Sequence, residues 1–191
     1  MSRLDPTLHA YCTPTPDVAL DTAKRVESAI ANGEDVGPLA GVPISVKDLI
    51  CTKGLRTVSG SYAYKDFVPD EDDIVVERIK AADAVILGKT NVPEFGYSGV
   101  GHNSVFPTTR NPWNTALTSG GSSAGSGAAV ATGMGPLTLG SDGGGSVRIP
   151  AASAVCTASR RPWAGFLSTP GRRTSDTPVC RAGSPWSTSG P

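Results

Sequence analysis

Two segments dense in glycine and serine, at 120–127 and 140–146, constrain this chain more than any other feature. In Gly140-Ser141-Asp142-Gly143-Gly144-Gly145-Ser146, three consecutive glycines stand directly before a serine. Glycine reaches backbone conformations closed to other residues, so such a run can turn sharply and aim several N–H groups at one point. An oxyanion hole needs that geometry, and Ser146 would then be placed as a nucleophile. The plain alternative is a glycine turn whose serine caps a helix. The other segment is Gly120-Gly121-Ser122-Ser123-Ala124-Gly125-Ser126-Gly127. A flexible linker fits it poorly, because an apolar helical pattern follows at once. A phosphate cradle would need Gly-Lys-Ser/Thr next, and a dinucleotide loop would need a small residue where Val130 stands.

The surrounding pattern places both segments. A short apolar run at 42–46 predicts a buried strand, and runs at 84–87 and 137–139 predict two further strands. Pro14-Thr15-Pro16-Asp17 opens a predicted helix through about Asn32, with Val18, Ala19, Ala23, Val26 and Ile30 on one face. The acidic run 70–73 predicts a first helical turn, followed by Ile74, Val75 and Ile79 facing inward and an end near Ala82. A third helix, tightly packed on its small residues, is predicted over 123–132. Strands alternating with helices imply an α/β fold with a largely parallel sheet. Reactive groups in such sheets lie on loops beyond the carboxyl ends of the strands, where both glycine-rich segments fall.

A serine nucleophile needs a base. The two histidines, His9 and His102, sit in no nucleophile-elbow context, so a Ser-His-Asp triad has little to recommend it. Lys47 closes the apolar run Gly41-Val42-Pro43-Ile44-Ser45-Val46-Lys47-Asp48. A lysine desolvated at the end of a buried strand shifts toward the neutral amine, which can accept a proton. The alternative is a structural ion pair between Lys47 and Asp48 or another acid.

Charge and length exclude several classes. The 191 residues suffice for one domain with a real core. Seventeen basic and 17 acidic side chains cancel, which argues against a partner held by a global basic field, such as a nucleic acid. The longest purely aliphatic stretch, Ala84-Val85-Ile86-Leu87, is far too short to span a bilayer. The start, Met1-Ser2-Arg3-Leu4-Asp5-Pro6, has no apolar signal core. Cys12, Cys51, Cys156 and Cys180 form no C-x-x-C pair and support neither a zinc site nor a disulfide framework. A cytoplasmic chain is the default. The zero charge is itself a sum: twelve basic and sixteen acidic residues in 1–152, against five basic and one acidic in 153–191. The latter stretch also holds five of the 16 prolines and shows neither helical nor strand periodicity. A boundary near Ala152 follows, with a Ser/Pro/Arg-rich tail beyond it.

Taken together, these segments resemble the amidase signature family, serine hydrolases with a Ser-Ser-Lys triad. The family's lysine motif is similar to Gly-Val-Pro-Ile-x-Val-Lys-Asp, here 41–48. Its glycine/serine motif is similar to Gly-Gly-Ser-Ser-x-Gly, here 120–125. Its nucleophile motif is similar to Gly-x-Asp-x-Gly-Gly-Ser-x-Arg-x-Pro, here 140–150. Further similarity covers 4–11, 88–95 and Asn111-Pro112-Trp113, so the resemblance spans nearly all of 1–152. It implies a three-layer α/β/α fold with a mixed, largely parallel sheet, incomplete here. It assigns Ser146 as nucleophile, Ser122 as the bridging serine after a cis Gly121–Ser122 bond, and Lys47 as base. The N–H groups of Gly143, Gly144, Gly145 and Ser146 become the oxyanion hole, while Ser123, Asp142 and Arg148 support the loop. The implied reaction is acyl transfer on a small-molecule amide through an acyl-enzyme, with no metal or organic cofactor and no nucleic-acid or membrane partner. A homodimer is compatible with the full-length family.

One subfamily, the glutaminase component of a tRNA-dependent amidotransferase, usually reads Ser-Asp-Thr-Gly-Gly-Ser-Ile-Arg-Gln-Pro. The corresponding stretch here is Ser141-Asp142-Gly143-Gly144-Gly145-Ser146-Val147-Arg148-Ile149-Pro150. The stretch Pro93-Glu94-Phe95-Gly96-Tyr97 also departs from that component's Asp-Glu-Phe-Ala-Met. A stand-alone amidase acting on small or hydrophobic amides is therefore favoured. A non-catalytic remnant and a nucleotide-binding module are the competing readings. Past Pro150-Ala151-Ala152 the family continues with Cys-Gly and then Gly-Leu-Lys-Pro-Thr-x-Gly-Arg-Val, whereas this chain reads Thr157-Ala158-Ser159-Arg160-Arg161-Pro162-Trp163. Reading the back-translated codons two bases later permits the family's continuation, and the Trp163–Ala164 junction forces one of its glycines. Residues 153–191 are accordingly read as an out-of-frame tail. The family's preceding helical segment and its larger C-terminal part are absent from 1–152.

Overall fold

The computed structural model describes residues 1–156 and 158. Its elements run α1 (Asp5–Leu8), β1 (Tyr11–Pro14), α2 (Pro16–Ala31), β2 (Pro43–Lys47), α3 (Ile74–Ala81), β3 (Val85–Thr90), β4 (Arg110–Asn111), β5 (Asn114–Thr118), α4 (Ala124–Ala131), β6 (Leu137–Leu139) and α5 (Arg148–Ala154). Single 3-10 turns lie at Tyr62–Tyr64 and Glu94–Gly96. Four strands form one sheet in the order β1-β3-β2-β6. β2 pairs parallel with β3 (Ile44 opposite Ile86, Lys47 opposite Thr90) and parallel with β6 (Val46 opposite Leu139). β1 runs antiparallel to β3 at one edge, so the sheet is mixed, as the family resemblance implied. β4 and β5 form a separate antiparallel pair.

Alternation along β2 builds the layers. Successive strand residues point to opposite faces. Ile44 and Val46 join Ile86, Ala84 and Ile50 in a cluster closed by Val76 and Ile79 of α3. On the other face, the Ser45 hydroxyl meets the Tyr11 hydroxyl at 2.6 Å, and Tyr11 packs with Ala128 and Ala129 of α4. The sheet thus has α3 on one side and α4 on the other, and Lys47 faces α4. The small residues of α4 let it come close: a Cβ at Gly125 would strike the Ala10 carbonyl oxygen and the Asn91 N–H. The actual Gly125 N–H donates to the Asn91 carbonyl at 2.9 Å.

Several sequence expectations change. In α2, only Ala19 and Val26 are buried, while Val18 and Ile30 are 47% and 54% exposed. A narrow contact stripe against β3 replaces the wide face that the pattern suggested. In α3, Val76 is buried, whereas Ile74 and Val75 are only partly so. The Asp73 carboxylate accepts from Cys51 N–H at 2.7 Å rather than from its own helix. α5 accommodates Pro150 because it falls in the first turn, where the missing N–H costs nothing. That helix continues past residue 152 to a buried Ala154, and the Ala154 carbonyl accepts from Trp113 Nε1 at 2.7 Å. The rest of the 153–191 reading, apart from residue 158, lies outside the described residues. Cys12 and Cys156 are free thiols. Among the described residues, no helix is long and apolar enough to cross a membrane.

Candidate active site

Lys47 ends β2 and is fully buried. Its Nζ donates to Ser122 Oγ at 2.8 Å, to Ser141 Oγ at 3.0 Å and to the Ser141 carbonyl at 3.1 Å. The alternative, an ion pair with Asp48, is not made. Asp48 Oδ2 instead accepts the Val58 and Ser59 N–H groups, both at 3.0 Å. Burial pushes Lys47 from 10.5 down to about 7, opposed in part by the Asp142 carboxylate. Removal from water disfavours the ammonium, so the neutral amine is populated near neutral pH.

Ser122 is 2% exposed and follows Gly121 through a cis peptide bond. Gly121 has no room for a side chain, since a Cβ there would lie 2.8 Å from the Ser98 carbonyl oxygen and 2.9 Å from Val100 N. Ser123 stitches the two glycine-rich loops together. Its N–H donates to the Ser146 carbonyl at 3.0 Å, and its hydroxyl to the Ser141 carbonyl at 3.4 Å.

Asp142 organises the second loop. Its carboxylate accepts Gly145 N–H at 2.7 Å, Val147 N–H at 3.2 Å and Arg148 N–H at 3.3 Å. The Arg148 side chain clamps both of its oxygens at 3.0 Å. The Arg148 guanidinium chiefly, with the backbone donors, holds this carboxyl well below the usual carboxylate range. One expected oxyanion donor is therefore engaged: Gly145 N–H belongs to Asp142. The N–H groups of Gly143, Gly144 and Ser146 have no acceptor among the described residues. Ser146 Oγ likewise bonds to no described residue, so its junction with Ser122 is not formed here. His102 pairs with Thr108 at an exposed position, and neither histidine bonds to any of these serines. The sequence reading did not single out Ser141. Its position directly before Asp142, just past the end of β6, was the available signal.

The chain belongs to the amidase family, whose sequence profile matches residues 1–172. The second A-type component of the glutamyl-tRNA(Gln) amidotransferase of Clostridium acetobutylicum is 49% identical over 152 residues, covering 80% of this chain and 32% of that protein. A bacterial aryl acylamidase of the amidase signature family superposes with a TM-score of 0.75 at 40% identity, covering 79% of this chain and 32% of the other. The peptide amidase of Stenotrophomonas maltophilia gives a TM-score of 0.74 at 36% identity, with 79% and 32% coverage. The chain therefore spans about a third of the length of the relatives it matches.

Proposed function

We propose that this chain carries the acyl-transfer centre of an amide hydrolase. The observation that carries the reading is the 2.8 Å hydrogen bond between the buried Lys47 Nζ and Ser122 Oγ, with no carboxylate bonded to the lysine. The neutral amine takes the Ser122 proton as Ser122 takes the proton of Ser146, and Ser146 Oγ adds to the amide carbonyl carbon. This requires Ser146 Oγ to come within hydrogen-bond reach of Ser122 Oγ. The oxyanion is met by backbone donors in the 143–146 loop, with Gly143, Gly144 and Ser146 free to serve. Collapse breaks the C–N bond, and the proton held on Lys47 returns through Ser122 to the departing amine. Water then hydrolyses the ester on Ser146, regenerating the serine.

The substrate reading is a stand-alone amidase for small or hydrophobic amides. A second reading, the glutaminase component of a tRNA-dependent amidotransferase, is favoured by the 49% identity to the clostridial relative. A non-catalytic remnant is the third reading, and labelling decides it. Incubating the full chain with an aryl amide, with glutamine and with a fluorophosphonate separates them. Anilide turnover and labelling at Ser146, both lost in Ser146→Ala, support the amidase. Glutamine turnover alone supports the glutaminase reading. A folded chain that is never labelled at Ser146 refutes the catalytic reading.

A further inference from the structure

Lys47 Nζ has three hydrogen-bond partners, and two of them belong to Ser141. The ammonium form carries three hydrogens, which these three acceptors satisfy completely. The neutral amine carries two hydrogens and one lone pair. A carbonyl can only accept, so the Ser141 carbonyl takes one hydrogen. The remaining hydrogen and the lone pair are divided between Ser141 Oγ and Ser122 Oγ. Only one division leaves Lys47 able to take a proton from Ser122: Ser141 Oγ must be the acceptor. Ser141 is an exposed residue, so its own hydroxyl hydrogen has solvent as an outlet, and its oxygen is free to accept from the amine.

We propose that Ser141 is a positioning residue for the base: its hydroxyl accepts one Nζ hydrogen and so turns the lone pair of Lys47 toward Ser122 Oγ. This rests on the amide-hydrolase reading above for its functional meaning, but the hydrogen-bond arrangement is testable without turnover. If Ser141 were only a loop residue, its carbonyl would hold Lys47 and the side chain would be replaceable.

The test uses the full chain with 15N-labelled lysine. The Lys47 Nζ signal is assigned with Lys47→Met and titrated in the wild type, Ser141→Ala and Ser141→Thr. Loss of an acceptor from the charged form lowers its pKa. Ser141→Ala should therefore lower the Lys47 midpoint by about one unit or more, and Ser141→Thr, which keeps the hydroxyl, should restore it. An unchanged midpoint in Ser141→Ala overturns the proposal. So does a rise toward 10.5, which would report water entering a loosened loop. Fluorophosphonate labelling of Ser146 is followed in parallel. About a tenfold slowing in Ser141→Ala, rescued in Ser141→Thr, is expected. Equal labelling of all three variants also overturns the proposal. If the wild type is not labelled at all, the catalytic reading fails, and the titration by itself still decides whether Ser141 orients Lys47. Ser141→Gly is the substitute if Ser141→Ala does not fold.

Discussion

Lys47 is a charged side chain in a buried position, and its hydrogen-bonding partners are a hydroxyl pair and a carbonyl rather than an acid. A structural lysine would ordinarily have an acid beside it, since an uncompensated buried charge is expensive. The expense has a pH signature. The folded pKa of about 7 lies below the ordinary 10.5, so between those values the unfolded chain binds more protons at this site. Stability then rises with pH across that window, and the full cost of burial is present below it. Urea midpoints measured at pH 7.5 and 9.5 should increase, and Lys47→Met should flatten that increase. A midpoint difference unaffected by Lys47→Met would mean that the lysine is not held in this way. In the proposed mechanism the same group is the base. Labelling of Ser146 should rise with pH through about 7, and Lys47→Met should lower it by about 10²–10⁴-fold.

Two glycine positions decide whether the elements can meet. At Gly125 a side chain would hold α4 off the strands, and at Gly121 it would push the first loop away from its neighbour. Gly121→Ala would place a methyl group against the backbone at Ser98 and Val100, both under 3.0 Å away. Backbone cannot give way as a side-chain tip can, so a loss of about 1–3 kcal/mol is expected from chemical denaturation. A variant as stable as the wild type would contradict the close approach. The strands at 42–46 and 84–87 are legible because buried parallel strands read as continuous apolar runs, whereas β6 at 137–139 is a short Leu-Thr-Leu stretch that stays partly exposed. β1 escaped notice because Tyr11-Cys12-Thr13-Pro14 is short, ends in proline and gains its identity only by pairing with β3. The burial of Val76 instead of Val75 depends on how α3 rotates against the sheet, which spacing alone leaves open to one residue. The site behaved similarly. The family resemblance pointed to Lys47 and Ser122, which lie 2.8 Å apart. Which N–H the Asp142 carboxylate would take, and that Ser141 would face the lysine, depend on loop conformation, to which residue type is nearly blind.

On the scale of the whole molecule, β6 is a three-residue strand at an edge of the sheet with no further strand beside it among the described residues; Leu137 on it is 48% exposed, and Trp113 on the separate hairpin is 68% exposed. An unpaired edge beside apolar surface invites association. The weight-average mass measured by light scattering should therefore rise with concentration, and a constant monomer mass would contradict this. The charge asymmetry between 1–152 and 153–191 carries a separate expectation at the level of the gene. Nucleotide sequencing should find, two bases out of register beyond codon 152, the continuation Gly-Leu-Lys-Pro-Thr. Its absence from every frame would end the out-of-frame reading. The family profile runs to residue 172 and α5 to Ala154, so the boundary is best sought in that DNA rather than at a break in the fold.

The partners of Lys47 lie 75 and 94 residues further along the chain. Contacts so distant in sequence form slowly, because the entropy of closing the chain between them is lost before they gain anything. No partly made chain, and no local fluctuation that separates β2 from β6, would hold an amine against these serines. The acylation proposed for Ser146 would therefore report on the assembled sheet. A single slow acylation measured during refolding would time the moment when distant parts of the polypeptide become one object.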